Sequence, residues 1–274
     1  MKQLFLILFF FPLLISAQVS NLPFQSGEEL TFDIHYKYGL VMLKAGTANY
    51  KVVKSAYNNQ NSYRTTLDFK TSSFFDKIYK MRDTLSSYIT EDLNPLYHKR
   101  SVHEGDYHFT EEMFVNKFGK EYSEFRVRRE VRHVLRFDTL LFSNTFAYDM
   151  LNMIQFIRSF NYSQLNNIPA GNVSVFVGRD KVAVAVRNEG QSLVEKNETL
   201  KYKTYRIAFD FTDNVFNESK NAIEIWMSDD ENRIPIKIKA KLRIGAVEVY
   251  LTSWKNLKYP LSSEVKIPAR TNFE

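Results

Sequence analysis

Alternation of apolar and polar residues with a period of two is the feature that most limits what this chain can fold into. The clearest row has apolar residues at every second position: Ile234, Ile236, Ile238, Ala240, Leu242 and Ile244. Basic residues stand between them: Arg233, Lys237, Lys239, Lys241 and Arg243. Successive side chains of a strand point to opposite faces, so the row predicts a strand with one buried and one solvated face, as in antiparallel sheets.

The same alternation recurs along most of the chain, at residues 32–38, 173–177, 182–186 and 205–211. The apolar phase then changes at Gly245, which is typical of a β-bulge that bends one long strand. Aromatic residues, which favour strands, make up 15% of the chain. These patterns predict a mainly β protein, with an antiparallel, strongly curved sheet or an incomplete barrel or sandwich.

One segment departs from the period of two. Between Asn144 and Phe160 the apolar residues recur at intervals of three and four, and Ser143 or Asn144 is available as an N-cap. This spacing predicts an amphipathic helix of about four turns over residues 144–160, packed on the concave face of the sheet. Its Met and Phe residues are more typical of a core than of a cofactor site.

The first residues predict export. An apolar run from Leu4 to Ile15 follows a lysine and precedes small residues, which is the organisation of a secretory signal, and the run is too short to span a bilayer. We therefore expect a signal peptide at residues 1–17 and a single β-rich domain at residues 18–274, with a division into two halves near 161–171 as the alternative. No transmembrane span is expected after cleavage. The expected location is the periplasm or the outer membrane surface of a Gram-negative bacterium.

Composition and motifs exclude several classes of protein. The chain has no cysteine, which excludes disulfides and thiolate metal sites. Its formal net charge of +6 suits anionic lipid, lipopolysaccharide or an anionic glycan as partner. Nucleic acid is not expected, since no binding motif for it is present. No nucleophile motif and no cofactor fingerprint occur either, so we expect no cofactor and do not favour an enzyme.

The segment WMSDDENRIP, at residues 226–235, concentrates acids and an amide between two strands. An EF-hand loop needs an oxygen ligand at its fifth position and glycine at its sixth, whereas counting from Asp229 gives Arg233 and Ile234. Asp229 and Asp230 are adjacent, so on a strand they would point to opposite faces. We interpret the segment first as a turn in which Asp and Asn bond nearby backbone amides, and expect Arg233 to pair with Asp229 or Asp230.

Candidate binding residues come from this turn and from the basic strand after it: Trp226, Asp229, Asp230, Asn232, Arg233, Lys237, Lys239 and Lys241. The leading hypothesis is a non-catalytic envelope protein that binds a lipid or another amphipathic envelope component, with basic strand faces meeting anionic head groups. One alternative is a glycan-acting hydrolase that uses Asp229 or Asp230 with a second acid from elsewhere. Another is a structural or interaction subunit that docks on an envelope protein partner. No catalytic residue is assigned.

Three histidines at intervals of five residues, His98, His103 and His108, suggest a metal site at first sight. A zinc protease needs two histidines four apart on a helix, so the spacing does not fit. The sequence Glu104-Gly105-Asp106 instead predicts a hairpin turn with His103 and His108 near its tip. Metal binding across this hairpin is left open as an alternative, and no metal ligand is assigned.

Several fragments together resemble an exported bacterial family numbered 3108 among the domains of unknown function. The fragments are FQSGEEL at 24–30 with Tyr36, KAGTA at 44–48, LNP at 93–95 with HEG at 103–105, and WMSDD and NRIP within 226–235 with Gly245. The resemblance spans nearly the whole mature chain, and the last fragment is its most specific part. It implies a β-rich envelope protein and provides no established activity or catalytic residue.

Overall fold

The computed structural model describes residues 22–165, 168–197, 199–211 and 222–266, so the predicted signal peptide lies outside it. The strands in the described part are β1 (Glu28–Tyr38), β2 (Val41–Tyr57), β3 (Gln60–Thr71), β4 (Arg82–Ile89), β5 (Pro95–Glu104), β6 (Tyr107–Lys117), β7 (Ser123–Val131), β8 (Val134–Ser143), β9 (Phe146–Tyr148), β10 (Ile168–Val177), β11 (Asp180–Asn197), β12 (Leu200–Phe211), β13 (Ile223–Ser228), β14 (Pro235–Lys241), β15 (Ala246–Lys255) and β16 (Glu264–Lys266). The helices are α1 (Ser73–Asp76) and α2 (Met150–Arg158).

All described strands belong to one sheet, in the order β8-β7-β6-β5-β4-β3-β2-β1-β15-β14-β13-β12-β11-β10-β9, with β16 paired to β12. Neighbours are antiparallel except β9 and β10, which are parallel. The sheet curves into a nearly closed barrel whose two edges are β8 and β9. The predicted fold class, mainly β with a strongly curved sheet, is therefore confirmed.

The interior of the barrel is filled with side chains. One core cluster includes Phe24, Leu30 and Tyr50 and extends from β1–β4 to Ile236 on β14 and Leu251 on β15. A second cluster lies under α2 and joins it to β9–β13. A third spans the gap between the two edges of the sheet, where the rings of Phe125 on β7 and Phe176 on β10 lie 4.5 Å apart between centroids. The two edges are thus held together by packing where backbone pairing ends.

Helix α2 is shorter than predicted. Residues 146–148 pair with β10 as strand β9, so the helix begins only at Met150, and its N-cap is Asp149 rather than Ser143 or Asn144. The Asp149 carboxylate accepts hydrogen bonds from the backbone amides of Leu151 and Asn152, both at 3.0 Å. The apolar spacing that predicted residues 144–160 therefore includes a strand, because pairing in the sheet overrides helical periodicity there.

Gly245 does not bend one long strand as predicted. It lies in the turn that joins β14 to β15, where the amide of Leu242 bonds the Gly245 carbonyl at 3.1 Å. Its φ is +75°, and a Cβ atom would stand 2.4 Å from the carbonyl oxygen of Lys37 on β1. Glycine is required here because the turn uses a left-handed backbone and contacts the neighbouring strand.

Candidate functional site

The acidic segment 226–235 forms the turn between β13 and β14, and Asp230 organises it. The Asp230 Oδ1 atom accepts hydrogen bonds from Ser228 Oγ (2.9 Å) and from the amides of Asn232 (3.0 Å) and Arg233 (3.3 Å). Its Oδ2 atom accepts one from the amide of Ser263 at 3.3 Å. With four donors in place, this carboxylate has a structural role in the turn.

Asn232 and Arg233 link the turn to the rest of the molecule. The buried Asn232 amide group donates to the carbonyl of Tyr259 at 2.9 Å and accepts from the Tyr259 amide at 2.9 Å. Arg233 does not form the predicted ion pair with Asp229 or Asp230. Its backbone has φ +47°, and Nη1 instead donates to the carbonyl of Arg158, at the end of α2, at 3.3 Å.

Asp229 borders a surface concavity of about 370 Å³, whose lining includes Asn161, Tyr162, Tyr205, Asp229, Glu231 and Arg233. Asp229 Oδ2 accepts a hydrogen bond from Gln191 Nε2 at 3.0 Å. Asp230 also lines the concavity, but both of its carboxylate oxygens already accept hydrogen bonds within and beside the turn. The concavity offers polar contacts and the carboxylates of Asp229 and Glu231, and no residue of its lining is assigned a catalytic role.

The basic strand β14 carries Lys237, Lys239 and Lys241 on one face, but acids from neighbouring strands balance them. Lys237 Nζ lies 3.1 Å from Glu248 Oε2, and between the rings of Trp226 and Tyr250 at 5.1 and 4.9 Å. Lys239 stands opposite Glu224 and Glu248 in the register. This face is therefore mixed in charge rather than cationic.

Glu248 is the centre of that charge balance. Burial raises its pKa, but hydrogen bonds from Tyr250 and Lys237, together with the charges of Lys237 and Lys37, outweigh burial and lower the pKa to about 2. Lys37 Nζ lies 3.4 Å from Glu248 Oε1. The carboxylate is ionised at neutral pH and offsets the positive charge of both lysines.

His98 belongs to a buried cluster that the sequence analysis did not identify. Ser87 Oγ lies 2.8 Å from His98 Nδ1 and 2.7 Å from Asp149 Oδ1. Burial lowers the pKa of His98, against the opposing charge of Asp149. Asp149 also caps α2, and the serine and the aspartate both approach the same ring nitrogen, so this is not the arrangement of a catalytic triad.

The other two histidines lie where the sequence predicts, at the tip of the β5–β6 hairpin. His103 and His108 stand opposite each other, with ring centroids 4.9 Å apart. Within the described ranges, no group of three or more His, Cys, Asp or Glu side chains has the geometry to hold a metal ion.

A polar stripe on α2, at intervals of three residues, crosses the inner face of the sheet. The stripe consists of Asp149, Asn152, Gln155 and Arg158, all buried. Gln155 Nε2 donates to Thr65 Oγ1 on β3 at 3.1 Å, and Asn152 Nδ2 donates to the carbonyl of Tyr88 on β4 at 3.3 Å. The nine residues of α2 give the helix a length of about 13.5 Å. The distance from the first to the last of four adjacent strands is about 14 Å, which is nearly the same. The stripe therefore holds α2 across strands β1–β4.

The exposed apolar residues are concentrated at one end of the barrel. Of the eighteen large hydrophobic side chains exposed in the described residues, thirteen lie in or beside the turns β1–β2, β3–β4, β5–β6, β7–β8 and β14–β15. We call them the apolar rim: Tyr38, Leu40, Val41, Met42, Leu43, Phe74, Ile78, Tyr79, Tyr107, Val134, Leu135, Leu242 and Ile244. The antiparallel order brings all five connections to the same end.

Hydrogen bonds connect neighbouring turns of the apolar rim to one another. Tyr36 Oη donates to the carbonyl of Ile244 at 3.2 Å, which joins β1 to the β14–β15 turn. Further bonds of this kind join Ser72 to the carbonyl of Lys44, Tyr79 to Glu104, and Arg132 to the carbonyl of Asp106. The rim is thus a connected surface. Sequence reasoning missed it because its members are spread over five turns.

Comparisons with known proteins bear on the fold and the family. A crystal structure of a β-barrel-like protein of the domain of unknown function DUF1849 from Brucella abortus is similar to this chain, with a TM-score of 0.57 and 12% sequence identity. The match covers 85% of this chain and 99% of that one, and at this identity it supports the fold alone. No curated protein matches the chain.

In the part of the chain that the structure describes, no helix is long and apolar enough to cross a membrane. The model of the family described as "Protein of unknown function (DUF3108)" matches residues 31–252, which include most of β1, all of β2–β14 and most of β15. That range contains the turn around Asp230, the helix α2 and the whole apolar rim. The chain therefore belongs to the DUF3108 family.

Proposed function

We propose that this protein is an exported, non-catalytic envelope protein that binds the surface of an anionic lipid layer through the apolar rim. Export is proposed from the signal-like pattern of residues 1–17. The observation that carries the lipid proposal is the concentration of thirteen exposed apolar side chains at one end of the barrel. Single exposed apolar residues are ordinary on a soluble protein, whereas a connected group of them marks an interaction surface.

The chemistry of the rim favours a lipid layer as the partner. Its side chains project from turns, so they are able to enter the region of the head groups while the strands stay outside. Basic residues accompany them: Lys77 and Lys80 follow α1, and Arg243 lies between Leu242 and Ile244. Basic side chains next to apolar ones favour an anionic lipid surface over a neutral one.

Binding at the rim is favoured over binding inside the barrel. The three core clusters and α2 occupy the interior, and the polar stripe of α2 lies against β1–β4. The balanced charges around Lys237 also make the outer face of β14 a weaker partner for anionic head groups. For both reasons we propose that lipid contacts the turns of the apolar rim and not the strand faces.

Sedimentation with vesicles tests this proposal. The mature protein is mixed with vesicles of phosphatidylcholine, or of phosphatidylcholine with phosphatidylglycerol, and the bound fraction is measured at low and high salt. We expect binding to the anionic vesicles that weakens with salt. The double variant Leu40→Ser/Ile244→Ser should lower the affinity at least about tenfold, since each substitution removes about 1 kcal/mol or more of apolar transfer free energy.

The matched control is Leu193→Ser/Phe142→Ser, because both residues are exposed apolar side chains outside the rim. The control should bind like the wild-type protein. Absence of binding to either kind of vesicle, or equal loss in both double variants, would contradict the proposal.

A further inference from the structure

A pocket rich in arginine lies at the rim, where the two edges of the sheet approach each other. It is bounded by β7 and β8 on one side and by the β10–β11 turn on the other, and its volume is about 450 Å³. We call it the arginine pocket and define it by its lining: Tyr107, Arg129, Val131, Arg136, Phe137 and Arg179.

Two of its guanidinium groups are oriented by one aromatic ring. The Cζ atom of Arg179 lies 4.9 Å from the centroid of the Phe137 ring, and that of Arg129 lies 5.4 Å from it. Arg179 belongs to the β10–β11 turn and Arg129 to β7, so the ring collects cations from both edges of the barrel. Contact with an aromatic face restricts a guanidinium group without using its N–H donors. The Nε donor of Arg129 is already bonded to Glu111 Oε2 at 2.7 Å.

The pocket has an excess of positive charge. Arg129 forms an ion pair with the buried Glu111, which also faces Arg100 at 4.0 Å. Among the residues that the structure describes, Arg136 and Arg179 have no carboxylate within ion-pair distance. One acid therefore faces four guanidinium groups in and beside the pocket. This differs from the face around Lys237, where Glu248 and Glu224 balance the charge.

We propose that the arginine pocket binds the phosphate group of an amphipathic ligand. A phosphate offers several anionic oxygens, and the planar fork of an arginine bonds two of them at once. The position of the pocket beside the apolar rim places this group at the depth of lipid head groups, so the inference rests on the proposed function. Tyr107 belongs to both surfaces and joins them.

Calorimetry with a soluble lipid tests the pocket separately from membrane binding. The probe is dihexanoyl phosphatidic acid below its micelle concentration, with inorganic phosphate in a parallel titration. The variant Arg136→Gln/Arg179→Gln should weaken binding of the lipid at least about tenfold, because the charge-assisted hydrogen bonds are lost. The control Lys54→Gln/Lys120→Gln removes the same charge from exposed residues outside the rim and the pocket and should change the affinity less than about twofold.

The outcomes separate the two proposals. If the arginine and lysine variants weaken lipid binding equally, the effect is one of overall charge and the pocket proposal is overturned. The proposed function would still stand if the wild-type protein binds anionic vesicles. If only the arginine variant loses affinity for the lipid, the pocket proposal is supported. This holds even if the wild-type protein does not bind vesicles. In that case inorganic phosphate binding as tightly as the lipid would identify a free phosphate as the ligand. No binding of either probe by the wild-type protein overturns the pocket.

Discussion

Arg158, the last residue of α2, forms a fully buried ion pair with Glu28 at the start of β1. Their Nη1–Oε1 and Nη2–Oε2 distances are 2.6 and 2.9 Å. Arg158 Nη2 also donates to the carbonyl of Asn232 at 2.9 Å, within the acidic turn. One side chain thus connects the helix inside the barrel, the first strand and the turn between β13 and β14.

Loss of Arg158 should be strongly destabilising. The substitution Arg158→Leu leaves Glu28 charged and buried without its partner, and we expect the free energy of unfolding to fall by about 3–5 kcal/mol in urea denaturation at pH 7. The exposed Arg243→Leu serves as control and should change stability by less than about 0.5 kcal/mol. The double variant Arg158→Leu/Glu28→Leu should recover part of the loss, because no unpaired charge remains. A loss under about 1 kcal/mol for Arg158→Leu would contradict the structural role assigned to the pair.

Asp230 and Asp229 should differ in their effect on stability. Asp230→Ala removes the acceptor for four donors in the β13–β14 turn, so we expect a loss of about 2 kcal/mol in the free energy of unfolding. Asp229→Ala removes one bond from the exposed side of the turn and should cost less than about 0.5 kcal/mol. Equal losses would show that Asp230 does not organise the turn.

Gly245 should be less tolerant of a side chain than Gly39. Both have positive φ, but a Cβ at Gly245 would stand 2.4 Å from the Lys37 carbonyl oxygen, whereas one at Gly39 meets nothing within 4 Å. We expect Gly39→Ala to cost about 1 kcal/mol for its backbone conformation alone and Gly245→Ala to cost at least about 3 kcal/mol. Thermal or urea unfolding of the two variants checks this, and similar losses would disprove the close contact.

Acid should weaken the fold through Glu248. The pKa of this carboxyl is lowered from its ordinary value of 4.5 to about 2, so its ionised form stabilises the native state. That contribution is fully present above pH 4.5 and is lost as the pH falls towards 2, because the unfolded chain takes up the proton first. The variant Glu248→Gln should therefore show a shallower loss of stability across this window. An unchanged pH dependence would mean that the contacts with Lys237 and Tyr250 do not hold the charged form.

The sequence predicts the strands well because alternation is a local property. Residues 235–241 of the row become β14, and the turn before it lies where Asp and Asn predict it, but Ile238 and Ala240 are half-buried like Lys237 and Lys239. Features that depend on which strands pair with each other cannot be predicted from alternation. Phe146–Tyr148 has helical spacing and forms a strand because β10 lies beside it.

The charge on the outer face is the second example. The basic residues of β14 predict a cationic surface, but the register places Glu248 and Glu224 opposite them. That register depends on residues up to fifteen positions away, so alternation alone does not give it. The polar stripe at Asp149, Asn152, Gln155 and Arg158 has a spacing of three in the sequence. The apolar residues of the same helix have a similar spacing, so the pattern does not show which face is buried.

A single fluorescent label gives the most direct test of binding at the apolar rim. Since the chain has no cysteine, Leu40→Cys and Leu193→Cys each provide one attachment point for a dye sensitive to polarity. On mixing with vesicles of phosphatidylcholine and phosphatidylglycerol, we predict a blue shift of the emission at position 40 and none at position 193. A shift at position 193 with none at position 40, or no shift at either position, would contradict membrane binding through the rim.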